Sequence, residues 1–219
     1  VSSTVPCSDK WVTGTINSFF IGFVATFIAT ALGTLAALGL SRPHMPYKGL
    51  IMAILISPMI VPLIITAAGM FFFYARINLV YSFTGIILAH VALATPFVVI
   101  TVTATLVGFD MNMVKASQSL GAKPLRTFFK IIMPLILPGV ISGALFAFIT
   151  SFDEVVIVMF MASLDQLTIP KQMWAGIRQE ISPVILCMAT CLVVLSIFLL
   201  TTVELLRRRS EKLRGITAR

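Results

Sequence analysis

Ionisable side chains are scarce in this chain, so those that occur stand out as candidates for chemistry. Asp153 and Glu154 are adjacent carboxylates inside a long apolar run, FAFITSFDEVVIVMFM. A carboxylate at membrane depth is costly and faces a cavity or a partner. One or both of this pair could line a path that favours an amine-bearing solute. Adjacent residues on a helix point about 100° apart, so at most one aims straight into a pore. The other is free to cap a helix break or to pair with a base. His90 stands alone in another apolar run and reads as a hydrogen-bonded packing residue rather than a proton relay. No Gly is followed by Lys, so the chain has no phosphate-binding loop of the Walker type. HExxH, Cys-x-x-Cys and GxSxG are absent as well. Cys187 and Cys191 lie four apart on one helix face, and Cys7 lies near the start. With only two histidines no metal-ligand spacing arises, and the cysteines read as packing residues. These residues give neither an enzyme site nor a metal site.

A second cluster is of another kind. Residues 110–138, DMNMVKASQSLGAKPLRTFFKIIMPLILP, form the longest polar interval between apolar runs. Its charges are Asp110 and four bases, Lys115, Lys123, Arg126 and Lys130. Residues 114–120 are helix-compatible, and Gly121 suits a helix C-terminus that needs positive φ. Pro124 can open a second helix. Along 125–136, Leu125, Phe128, Phe129, Ile132 and Met133 fall on one face, with Arg126 and Lys130 on the other. The pattern predicts two short helices joined at a turn, a compact knob. An amphipathic helix lying on the membrane surface would show the same pattern, and the residues alone leave both open.

What positions these clusters is a set of apolar spans. Of 219 residues, 58% are hydrophobic and 11% charged, against roughly 25% charged in soluble domains. Mean hydropathy is +1.04. The fold expected is all-α, a polytopic transmembrane helical bundle. Five spans are visible, at about 16–40, 49–74, 80–107, 137–161 and 183–206. Gly and Ala enrich the first, and Gly139 and Gly143 open the fourth, as suits close helix packing. Pro58 and Pro62 predict a break in the second, and Pro96 lies in the third. Residues 1–15 form a polar N-terminal segment. A loop at about 162–182 holds a possible interfacial helix at 171–180, with Trp174 at the lipid boundary. A basic tail, 207–219, ends the chain.

The net charge of +8 is spread over a few loops and the tail, without the aromatic interleaving of a nucleic-acid surface, so nucleic acid is excluded as a partner. Of the Lys and Arg residues, twelve fall on one side of the spans and four on the other. The positive-inside rule makes the first side cytoplasmic, with the 110–136 region and the C-terminus on it and the N-terminus outside. Asp153 and Glu154 then sit roughly 24–26 Å from the cytoplasmic end, in the outer half of the membrane. An external N-terminus without a leader suggests a further preceding helix, hence six spans.

The cytoplasmic segment closely resembles a known pattern. Lys115-Ala-Ser-Gln-Ser-Leu-Gly121, nine residues, then Ile131-Ile-Met-Pro134 follows the "EAA" loop of importer-type ABC-transporter permeases. Lys115 replaces Glu, Ser117 replaces the second Ala, and Met133 replaces Leu. Asn17-Ser18, Gly33-Thr-Leu-Ala-Ala37, Pro96-Phe-Val-Val-Ile-Thr-Val, Ser151-Phe-Asp-Glu-Val-Val156, Ile169-Pro170 and Ile181-Ser-Pro183 extend the likeness to the spermidine/putrescine-type branch. The resemblance implies a six-span permease in a bacterial inner membrane, paired with a second, homologous permease subunit. It further implies two ATPase subunits that bind ATP and Mg, none in this chain, and an external solute-binding protein. Coupling to the ATPase would fall to Lys115, Ala116, Ser117, Leu120, Gly121, Ala122 and Pro134. Asp153 and Glu154 would line the solute path. The solute expected is a small cation such as spermidine or putrescine. Another amine, an aminophosphonate or ferric iron stays open, as does an ATPase-independent channel or ion-driven transporter.

Overall fold

The computed structural model describes residues 9–42, 45–107, 112–179 and 183–213, and every regular element among them is helical. Three helices form the centre: α1 (Asp9–Leu40), α4 (Phe83–Val107) and α7 (Met133–Phe152). Each is apolar on all faces and long enough to cross a bilayer core of about 30 Å. Between α1 and α4 come α2 (Lys48–Ile60) and α3 (Leu63–Arg76). α5 (Asn112–Ser119) and α6 (Pro124–Thr127) lead into α7, and α8 (Val156–Met161), α9 (Ile169–Gln179) and α10 (Pro183–Leu213) follow it.

Small residues let the central three meet. Ala25, Ala29 and Ala37 of α1, Ala89 and Ala94 of α4, and Ala147 of α7 are all buried. At Gly143 an added Cβ would stand 2.5 Å from Thr101 Oγ1 and 2.9 Å from Val98 Cα, and at Gly139 it would run into Thr105. The backbones of α4 and α7 therefore touch at the spacing that the two glycines predict. Thr101 and Thr105 turn their hydroxyls back onto carbonyls of their own helix, which leaves no polar group stranded at that contact.

Two expected spans are broken helices. The second divides at Val61 and Pro62, where α2 and α3 meet at 104°. Pro58 sits inside α2 without ending it. The break belongs to Pro62, which drives Val61 into extended backbone, φ −72° and ψ 134°. The fourth begins earlier than expected, at Met133, ends at Phe152, and resumes after three residues as α8. α1 likewise starts at Asp9, so residues 9–15 of the expected polar segment are its first turns. α10 runs from Pro183 to Leu213, with an apolar stretch at Ile185–Phe198. Cys187 and Cys191 are free and exposed on it rather than packed within the chain. Cys7 and His44 lie outside the described residues, as does Asp110.

Candidate functional site

The polar segment folds as the two-helix knob. α5 closes on a Schellman turn in which Gly121 N–H donates to the Gln118 carbonyl (2.9 Å) and Ala122 N–H to the Ser117 carbonyl (3.1 Å). Gly121 has φ +78°, the left-handed geometry its position predicts. Extended backbone at Lys123 then lets Pro124 start α6 without wasting a donor. The halves are pinned together inside the knob, where Ser117 Oγ and Thr127 Oγ1 lie 2.8 Å apart, both residues buried. Ser117 also donates to the Val114 carbonyl (3.1 Å). Its one proton is thereby used, and Thr127 is left as the donor of the pair.

The helix predicted over 125–136 is regular only at its ends. Residues Phe128–Ile132 form a π-turn, and Met133 N–H reaches back to the Phe128 carbonyl. Pro134 has no N–H to give, and in a regular turn its ring would press on the Lys130 carbonyl, so a wider turn fits just ahead of it. Pro134 itself lies in the first turn of α7 and joins the knob to that helix.

Of the residues assigned to coupling, Lys115, Ala116, Leu120 and Gly121 are exposed, Ala122 is half-buried, and Ser117 faces inward. Leu120 is 88% exposed at the turn, and Leu125 is 73% exposed beside it. The face expected to hold Leu125, Phe128, Phe129, Ile132 and Met133 is thus divided: Phe129 is exposed, and Ile132 and Met133 pack against the central core. Between the knob and the ends of α1 and α4 lies an open cavity of about 340 Å³, lined by Leu38, Arg42, Leu106, Gln118 and Phe128 among others.

At the opposite end of the bundle the two acids part company. Asp153 ends α7 and is exposed, on a small cavity of about 100 Å³ with Phe148, Phe152, Pro170 and Leu192. Glu154 is buried, and its carboxylate accepts the Ile157 N–H of α8 at 2.9 Å. It therefore caps the helix break, a role that the sequence left open to it beside lining the path or pairing with a base. The far end of α8 is satisfied by Lys171, whose ammonium donates to the Val158 (3.1 Å) and Ala162 (3.2 Å) carbonyls. Burial pushes that ammonium below the usual lysine range. An acid at its start and a base at its end suit the dipole of this short helix.

Sequence reasoning did not assign the residues that tie this end together. Asn17 Nδ2 donates to the carbonyls of Asp165 (3.0 Å) and Leu167 (3.1 Å), and Ser18 Oγ accepts the Ile169 N–H (2.9 Å). Gln166 donates to the Tyr81 carbonyl (2.9 Å), while Tyr81 N–H donates to the Met161 carbonyl (3.0 Å). These bonds hold Tyr81 at φ +61°. Two polar residues in the apolar start of α1, and the Ser163–Gln166 capping-box spacing, were the available signals. His90 is 1% exposed, with Nδ1 2.8 Å from Ser151 Oγ, the hydrogen-bonded packing role predicted for it. Trp174 is half exposed on α9, with the Arg178 guanidinium 5.4 Å from its ring.

The same arrangement of helices occurs in solved transporters. A chain of the MetNI methionine ABC transporter, in an inward-facing conformation, superposes with a TM-score of 0.71 at 19% identity, covering 96% of this chain and 99% of that one. In sequence, the spermidine/putrescine transport system permease protein PotC of Haemophilus influenzae is 31% identical over 204 residues, 93% of this chain and 79% of its own. The protein of the same name from Escherichia coli K12 is 32% identical over 190 residues, 87% of this chain and 72% of its own. A family model described as "Binding-protein-dependent transport system inner membrane component" matches residues 15–212. With the helical bundle, the knob and these likenesses together, the chain belongs to the family of binding-protein-dependent transport system inner membrane components.

Proposed function

We propose that this chain is one permease subunit of an importer of small cationic solutes such as spermidine or putrescine, powered by ATP hydrolysis in separate subunits. The relatives are permease proteins rather than enzymes, so ATP and Mg belong to the partner ATPase subunits. A second permease chain completes the path, and an external binding protein delivers the solute at the α8–α9 end. The knob lies on the cytoplasmic side with the C-terminus, as the distribution of Lys and Arg suggests.

The observation that carries this reading is the knob itself. A stiff turn at Gly121 holds α5 outward, with Lys115, Ala116 and Leu120 uncovered. Ala116 offers close approach and Leu120 an apolar anchor, while Ser117 supports the shape from inside. Pro134 passes any displacement of the knob into α7. On α7's other end stands Asp153, the exposed carboxylate that would attract an amine.

The test is reconstitution of the complete complex in lipid vesicles, with ATP hydrolysis and labelled spermidine uptake measured together. Hydrolysis is expected to rise when spermidine-loaded binding protein is added, and solute to accumulate only with ATP. Uptake that proceeds without the ATPase subunits would overturn the reading in favour of an ion-driven transporter.

A further inference from the structure

The knob has a polarity that the coupling role alone does not require. Between residues 112 and 152 the sequence holds four bases and no acid. All four, Lys115, Lys123, Arg126 and Lys130, are exposed. Among them stand uncovered apolar side chains, Leu120, Leu125 and Phe129. A surface of this kind gains by meeting an apolar groove with an acidic rim, where its charges find partners as its apolar groups leave water.

Lipid headgroups would also attract cations, but α5 does not have the shape of a lipid-seeking helix. Its outward residues are Asn112, Met113, Lys115, Ala116, Gln118 and Ser119, and Met113 is the one large apolar side chain among them, too little to sink the helix among acyl chains. Its inward residue, Ser117, is spent on Thr127. What α5 leaves uncovered is mostly small, polar and charged, which fits a protein cleft.

We propose that the cleft of the ATPase subunit that receives this knob is acidic, with a carboxylate opposite Lys115. That is the reverse of what a glutamate at this position would call for. The proposal rests on the docking role given above. It makes this permease selective for an ATPase partner of matching charge, because a cleft built for a glutamate would place like charge against Lys115.

The experiment measures the affinity of the ATPase subunit for the permease pair in nanodiscs of phosphatidylcholine alone. At about 50 mM salt, paired exposed charges still attract, and at about 500 mM they are largely screened. Wild-type affinity is expected to fall about tenfold between the two. The double variant Lys115→Glu/Arg126→Glu is expected to bind about tenfold more weakly at low salt, with a flattened salt dependence. Lys115→Arg is expected to bind as wild type. Unchanged or tighter binding by Lys115→Glu would overturn the proposal. So would an effect that appears only when phosphatidylglycerol is added, which would assign the bases to lipid. Gly121→Trp separates the two levels of inference. If it abolishes binding while Lys115→Glu is neutral, docking stands and the acidic cleft falls. If Gly121→Trp binds as wild type, docking at the knob falls too.

Discussion

The two ends of the bundle are finished in different ways. At the α8–α9 end, Asn17 and Ser18 reach residues about 150 positions away and satisfy the backbone of 165–169, and Gln166 ties the same loop to Tyr81. At the other end, the bonds that shape the knob are local: Ser117 meets Thr127, ten residues on, and Val114, three residues back, and the turn at Gly121 is closed by backbone bonds. One end is stitched to the rest of its own chain, with the loop after α8 and the start of α9 held to α1. The other is closed on itself, joined to the bundle mainly through the π-turn ahead of Pro134. A surface that must meet a second protein gains from this second design, because its buried hydroxyls and its turn backbone are satisfied before the partner arrives.

The largest effect that would break this comparison comes from Gly121→Trp. The left-handed φ of Gly121 costs a side-chain-bearing residue about 1–2 kcal/mol, and the added Cβ meets open space, with nothing within 4 Å. The protein should therefore insert and accumulate near wild-type level. Transport should fall by about a hundredfold, the upper range of coupling between distant sites. Quantitative blotting beside an uptake assay reads both. Loss of the protein from the membrane would mean that the knob is part of the folding core.

Asn17→Ala strikes the stitched end. It leaves the Asp165 and Leu167 carbonyls without their donor, at about 1–3 kcal/mol where such groups are buried. The purified protein should unfold at lower temperature, while ATPase binding to the knob stays unchanged. A fall in ATPase binding equal to that of Gly121→Trp would show that the two ends are not separate.

How much of this was legible follows the same division. The knob could be read because its signals are local: a glycine that must have positive φ, a proline ready to start a helix, and bases set against apolar residues. The π-turn was not, because it depends on where the Pro134 ring lies against the preceding carbonyls. The bundle could be read from apolar run length and from Gly139 and Gly143, whose spacing already states a close approach. The stitching was hidden, because nothing local says which carbonyls Asn17 will meet so far along the chain. The apolar run across 153–154 also misled, since hydropathy favours one span where a buried carboxylate has replaced a helical hydrogen bond.

The acidic pair offers a finer division within the stitched end. Glu154→Gln keeps an oxygen for the Ile157 N–H and should change thermal stability little, whereas Glu154→Ala should cost about 1 kcal/mol, the usual worth of a side-chain cap. Asp153→Asn should leave stability unchanged and reduce uptake of a cationic solute severalfold. Equal uptake defects in Asp153→Asn and Glu154→Gln would place both charges on the path and dissolve the distinction.

The smallest effect lies inside the knob and tests whether it is closed on itself. With Ser117 donating to Val114, Thr127 is the donor to Ser117. Ser117→Ala then strands a buried hydroxyl proton, while Thr127→Val keeps the shape and removes the group that would be stranded. The first should destabilise the knob by about 1 kcal/mol, and the second by less. The double variant should be milder than the sum, since no buried donor is left over. Hydrogen exchange of the α5 amides reads these small differences locally. Strict additivity would mean that water already reaches the Ser117–Thr127 contact, and the knob's shape would then depend on its partner.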